Sequence, residues 1–201
     1  MGNHEEDGDY YWSVFDFPKP HAPMIDHYWF QFGSAQFIVL YTGKTQGYNV
    51  EGIVKTQGPW MEKVLKDSQL NPTIRWRFVV MHRGPFSQGS FHPDDGFWFS
   101  EKRIYPGGPT WRNLWEKYKI DAVMAGHNHN FTLAEKNGIK YITLCSGAPA
   151  QSLNPKLMPT TLYAEPTCGV GLFEITPVQL RFSFQRLDSS IIEAANFSLN
   201  K

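Results

Sequence analysis

The chain has 201 residues, with 19 Lys and Arg balanced by 19 Asp and Glu, so its formal net charge is zero. That length fits one domain of about 100–200 residues, and 41% hydrophobic against 19% charged residues excludes a disordered chain. Without a positive excess, a nucleic-acid groove or an anionic membrane surface is a poor fit as the main partner. The longest apolar run, residues 37–41, falls far short of the about 20 residues that span a bilayer.

Residues 1–7 have neither a basic start nor an apolar core, and so do not read as a secretory signal. Residues 28–32 alternate, and Gly33-Ser34 separates them from the apolar run 36–41; the pattern predicts a hairpin. From 57 to 70, Trp60, Met61, Val64 and Leu65 recur at helical spacing, with Pro59 expected in the first turn and Asn71-Pro72 ending the helix. Residues 76–81 read as a buried strand stopping at His82. A Gly/Pro/aromatic loop follows to about Thr110, a length uncommon in a compact domain unless the loop binds something.

A second helix is expected over 111–118, then a buried strand over 120–125 ending at Gly126-His127-Asn128-His129. Asn137-Gly138 lies between 131–134 and 139–144 as a hairpin turn. A last strand pair, 171–176 and 179–187, turns at 176–178. Mixed strands and helices of this kind predict an α/β or layered α+β fold, whose ligands gather beyond the carboxyl ends of the strands. Cys145 and Cys168, two cysteines without CxxC spacing, are too few for a disulfide framework.

Both His82 and the His127/His129 pair stand at strand ends. A His-x-His after a buried strand places two imidazoles close together, and Gly126 before it is expected to supply the bend that turns both inward. Imidazole ligates zinc, iron and related ions through a neutral nitrogen. Asn3 offers a hard amide oxygen, and His4 beside it an acid or base. Arg83 and Arg103 could meet a phosphate dianion, although an arginine on a loop is more often a solvated charge.

Gly2-Asn3-His4-Glu5, Val79-x-x-His82 and Gly126-His127-Asn128-His129 together resemble the last three motif blocks of the calcineurin-like metallophosphoesterases, and most closely their purple acid phosphatase branch. The likeness extends to 28–41, to the helix from Gln57 and to the closing strands 169–187. It implies a single domain over residues 1–201 that corresponds to the C-terminal part of an αββα sandwich lacking its first strands. It further implies that Asn3, His82 and His127 hold one ion of a dinuclear pair and that His129 holds the other. His4 would polarise the substrate or protonate the leaving oxygen, and His92, on the long loop, would contact the phosphate. Two metal ions, in the intact family Fe, Zn or Mn, about 3.5–4 Å apart would clamp phosphoryl oxygens and lower the pKa of a bound water.

The family's first blocks, DxG and GDxxY, have no counterpart in these 201 residues. Asp94-Asp95-Gly96 matches DxG only formally, with no strand leading into it. The resemblance therefore implies a phosphomonoester hydrolase, acting on phosphorylated small molecules or phosphoproteins, that is weak or inactive as this chain alone. The alternatives are a non-catalytic remnant that binds phosphate or a partner, and one half of a split enzyme whose other chain supplies the aspartates. An unpaired sheet edge would favour pairing with another chain or a second copy. Family resemblance leans towards an extracytoplasmic location. Asn130-Phe131-Thr132 and Asn196-Phe197-Ser198 match the glycosylation sequon; a glycan on the first would obstruct the histidine pair.

Overall fold

A computed structural model describes residues 27–42, 49–90, 99–145 and 147–201. Seven strands form the larger sheet: β1 (Tyr28–Phe32), β2 (Ala35–Leu40), β3 (Trp76–Met81), β4 (Ala122–Ala125), β5 (Phe131–Lys136), β6 (Ile139–Thr143) and β7 (Thr161–Glu165). Their order is β1-β2-β3-β4-β6-β5-β7. The centre β2-β3-β4-β6 is parallel, while β1, β5 and β7 pair antiparallel at its flanks. The smaller sheet is antiparallel, in the order β10-β9-β8, from β8 (Gly169–Ile175), β9 (Gln179–Arg186) and β10 (Phe197–Asn200). The helices that lie wholly within the described residues are α1 (Val50–Leu70), α2 (Trp111–Lys117) and a 3-10 turn at Glu193–Ala195.

Period-2 patterning in the central strands divides the core between the two faces of the large sheet. Ile38, Leu40, Val79, Met81 and Val123 face the helices, where they meet Met61, Leu65, Trp111 and Trp115. The alternate residues Trp76, Phe78 and Ala122 face the small sheet and meet Leu180, Phe182 and Phe184. The result is a layered mixed α/β fold with helices on one side of the large sheet and the small sheet on the other.

Helix α1 begins at Val50, seven residues before the start that apolar spacing predicts. Asn49 caps it, accepting a hydrogen bond from the Gly52 N–H at 2.9 Å, an N-cap that offsets one of the orphan donors of the first turn. Pro59 consequently lies inside the helix, where its missing N–H removes one intrahelical bond. The interior Gly58 has a packing reason: a Cβ there would collide with the side chain of Ile104. Buried Gln57 ties the helix to the end of β2, accepting from the Tyr41 N–H at 3.0 Å and donating to the Tyr41 carbonyl at 2.8 Å.

The short α2 carries a full capping box. Thr110 accepts from the Asn113 N–H at 3.1 Å, and the Asn113 side chain accepts from the Thr110 N–H at 3.0 Å, satisfying two donors at once. At the β5–β6 hairpin, Asn137 and Gly138 have φ of 52° and 80°, the two positive values that a type I′ turn needs. Strands β7 and β10 have no counterpart in the sequence pattern, since each is four or five residues long with half-exposed positions.

Candidate metal centre

Parallel pairing of β3 with β4 sets Met81 beside Ala125, so the chain leaves both strands at the same level. His82 and Gly126 come next, and the Gly126 N–H donates to the His82 carbonyl at 3.1 Å, which continues the ladder one step into the loops. From there the imidazoles of His82 and His127 turn toward each other, with centroids 5.0 Å apart and planes at 69°. Nδ1 of His127 lies 3.2 Å from Nε2 of His82. His82 also closes one end of a cleft of about 290 Å³ lined by the last residues of β2, β3 and β4.

The bend that brings His127 inward belongs to His127 itself, whose φ is 66°. Expectation placed that bend at Gly126, which has no positive φ. A left-handed non-glycine residue is uncommon and strained by about 1–3 kcal/mol, and such residues gather at functional sites. The strain is held by the short bonds around it: the Asn128 N–H donates to the Gly126 carbonyl at 2.8 Å and the Asn130 N–H to the Asn128 carbonyl at 2.9 Å.

Arg83 departs further from its sequence reading. Its guanidinium is not a solvated loop charge; the residue is 2% exposed. Its backbone N–H donates to Thr42 Oγ1 at 3.0 Å, and its Nη1 lies 3.1 Å from Nε2 of His127. A guanidinium can only donate, so Nε2 of His127 accepts. The ring proton therefore sits on Nδ1, which donates to Nε2 of His82. Arg83, His127 and His82 form a directed chain of donors. The only sequence signal for Arg83 was its place directly after His82. Arg103 is exposed and donates to the Gly108 carbonyl at 2.7 Å, away from this chain of contacts.

His129 is partly exposed, and its carbonyl accepts from the Gln151 N–H at 2.6 Å. Among the described residues no three His, Cys, Asp or Glu side chains converge on one point, so His129 does not join the His82–His127 pair. Asn3, His4 and His92 lie outside the described residues, as does the Gly2–Glu5 block. Asn130, the first sequon residue, is fully buried, whereas Asn196 is exposed.

The pair meets one geometric requirement of a metal site. Two neighbouring donors on an ion with metal–nitrogen bonds of about 2.0–2.1 Å stand about 2.9–3.4 Å apart in octahedral or tetrahedral geometry, and the observed 3.2 Å falls within that span. Two imidazoles at the carboxyl ends of adjacent parallel strands suit borderline ions such as zinc or iron.

Below the site, Cys145 after β6 and Cys168 before β8 form a disulfide. It fastens the large sheet to the small one. Two isolated cysteines 23 residues apart gave no sequence signal of this pairing.

The calcineurin-like phosphoesterase family model matches residues 1–131. The Fe(3+)-Zn(2+) purple acid phosphatase 12 of Arabidopsis thaliana is 30% identical over 155 residues, covering 64% of this chain and 30% of that protein. A purple acid phosphatase of Glycine max is 27% identical over 170 residues, covering 71% of this chain and 33% of that protein. The chain thus spans about a third of the length of these curated relatives. Among solved structures, the purple acid phosphatase PPD1 from yellow lupin seeds (Lupinus luteus) superposes with a TM-score of 0.68 at 20% identity, over 93% of this chain and 34% of that one. GAP50, the anchor in the inner membrane complex of Plasmodium, superposes with a TM-score of 0.57 at 20% identity, over 87% and 53%. The fold is that of the purple acid phosphatases, and the chain belongs to the calcineurin-like phosphoesterase family.

Proposed function

We propose that these residues form the histidine half of a phosphomonoester hydrolase site. His82 and His127, with Asn3, would hold one ion, and His129 would contribute to a second. The observation that carries this reading is the 3.2 Å approach of two imidazole nitrogens at adjacent strand ends in a chain of this family. Bound metal would supply positive charge for phosphoryl oxygens and acidify a water. The chain's own residues divide the remaining work. His4 donates a proton to the departing oxygen, and His92 contacts the phosphate from the long loop. The substrate is a phosphorylated small molecule or phosphoprotein, since the cleft at His82 is open to solvent and the chain has no positive excess to grip a polyanion.

These 201 residues contain no DxG and GDxxY pair, so the carboxylates of a dinuclear centre would have to come from sequence outside them. As this chain alone, the reading gives at most one weakly held ion and little turnover. The buried disulfide supports an oxidising, extracytoplasmic compartment, because thiols stay reduced in the cytosol. Metal content by elemental analysis and p-nitrophenyl phosphate turnover test the reading. The expected result is no more than one ion per chain, lost in His82→Ala and His127→Ala. Two tightly bound ions with brisk turnover would overturn the half-site, and zinc or iron binding that survives both substitutions would overturn the ligand assignment.

A further inference from the structure

The partner of His127 on its outer side has the wrong polarity for a metal ligand. A metal-bound histidine ordinarily donates its second ring N–H to a carboxylate, a carbonyl or water, which fixes the tautomer and strengthens the ligating nitrogen. Here the second nitrogen faces a buried guanidinium at 3.1 Å, a group with five N–H donors and no acceptor. If Nδ1 of His127 ligated a cation, the neutral ring would carry its proton on Nε2, and two N–H donors would then point at each other across that 3.1 Å. If Nε2 were to ligate instead, Arg83 would occupy the place the cation needs. Under either ring orientation, the Arg83 contact and metal ligation by a neutral His127 exclude one another.

Electrostatics act in the same direction. A fixed positive charge held within one imidazole of the ion position repels a divalent cation, and burial reduces the solvent screening that would soften the repulsion. We propose that Arg83 is a positioning residue that opposes metal loading. It holds His127 as the Nδ1-protonated tautomer, bonded to His82, and must leave that contact before an ion can enter. The inference rests on the reading of His82 and His127 as ligands. It adds a gate to the site, formed by the residue next to the His82 ligand.

The opposite role is equally definite in its consequences. Were Arg83 an ordinary support for the site, its removal would weaken metal binding about 10–100-fold, as the loss of such outer partners generally does. The sign of the change therefore decides the matter. The full chain, stripped of metal, is titrated with zinc by calorimetry as wild type, Arg83→Met, Arg83→Lys and His82→Ala. In parallel, long-range ¹H–¹⁵N spectra of the metal-free proteins report which ring nitrogen of His127 carries the proton, its signals assigned by their absence in His127→Gln.

The expected result is an Nδ1-protonated His127 in the wild type, reversion toward the Nε2-protonated form in Arg83→Met, and zinc binding at least about tenfold tighter in that variant. Arg83→Lys, which keeps the charge, stays near the wild-type affinity. Far-UV circular dichroism identifies any variant that fails to fold; if Arg83→Met does, Arg83→Gln takes its place with the same expectations. An Nε2-protonated His127 in the wild type overturns the proposal, and so does equal or weaker zinc binding in the folded neutral variant. Zinc binding that is lost in His82→Ala but unchanged by Arg83→Met rejects the gate and leaves the ligand pair standing. Binding by none of the proteins rejects both.

Discussion

Nε2 of His82 and Nδ1 of His127 lie 3.2 Å apart because β3 and β4 are parallel neighbours whose pairing ends at Met81 and Ala125. Each histidine is the first or second residue past that pairing, so sheet register fixes their separation. The turn that completes the approach places His127 at φ 66°. A side chain with a Cβ is strained there whatever its chemistry, whereas glycine is not. His127→Gly and His127→Ala should therefore both lose the imidazole contact to His82, but the glycine variant should be the more stable by about 1 kcal/mol. Urea unfolding of the two variants measures the difference; equal stability, or a more stable alanine variant, would show that the left-handed turn carries no strain.

Much of this site is legible in the sequence because the residues that make it are strand-terminal. Period-2 runs ending in His82 and in Gly126-His127 already place both imidazoles at one edge of a sheet, and Asn137-Gly138 announces the hairpin behind them. What the pattern could not give are relationships set by long-range packing. Helix α1 starts at Val50, where the Asn49 cap and the fit of Gly58 against Ile104 offset the poor propensity of its first ten residues. Arg83 is buried against His127 only once the loops after β3 and β4 are side by side. The cysteines pair only once β6 and β8 have been brought together in different sheets. Short strands such as β7 and β10 are defined by partners rather than by their own periodicity.

The Cys145–Cys168 bridge joins the loop after β6 to the start of β8, and the Gly169 N–H donates to the Cys145 carbonyl at 2.8 Å across the same junction. Closing a loop of 23 residues in the unfolded chain stabilises the fold by about 3 kcal/mol in the chain-entropy model. The double variant Cys145→Ser/Cys168→Ser should lose about that much in urea unfolding, and reductant should shift the wild-type curve but not the variant's. Both sulfurs are buried, so reduction should be slow under native conditions and rapid in denaturant. Two titratable thiols in the native, unreduced protein would contradict the bridge.

A second tie between the sheets is electrostatic. Arg186 on β9 reaches Glu165 on β7 with both arms of its fork, at 2.7 Å and 2.6 Å. These hydrogen bonds are the main reason that the Glu165 carboxyl titrates below its ordinary value, with a smaller contribution from the Tyr163 hydroxyl and with burial opposing them. A carboxyl whose folded-state pKa is depressed binds fewer protons folded than unfolded between the two values. Its contribution is complete above the ordinary glutamate value, about 4.3, and is lost as pH falls through the depressed one. Asp121 titrates in the opposite sense, because burial raises its pKa, so the comparison must be made against Glu165→Gln rather than against pH alone. The difference in unfolding free energy between wild type and Glu165→Gln should be largest at neutral pH and shrink towards pH 3. A difference that stays constant across that range would remove the ion pair as its source.

At the other side of the small sheet, β8 has β9 as its one strand partner among the described residues, and beyond the Gly169 bond to Cys145 no described strand pairs with its second edge. Val170 and Leu172 on its outer face are 52% and 45% exposed. On its inner face, Phe173 and Ile175 border a trough of about 420 Å³ lined also by Phe37, Phe78 and Met124. Natural edge strands are commonly guarded by lysine, proline or a bulge; β8 has the sequence Gly-Val-Gly-Leu-Phe-Glu-Ile, with Glu174 its sole charge. An edge with apolar side chains on both faces and no described strand beside it is a template for another strand, which leads to an expectation of concentration-dependent self-association. Light scattering after size exclusion should show mass rising with concentration for the wild type and a constant monomer mass for Leu172→Lys. Because Leu172 is exposed on the outer face of β8, the substitution should leave the melting temperature unchanged within about 2–4 °C. A wild type that remains monomeric at every concentration would mean that the open edge is protected by some means other than its own sequence.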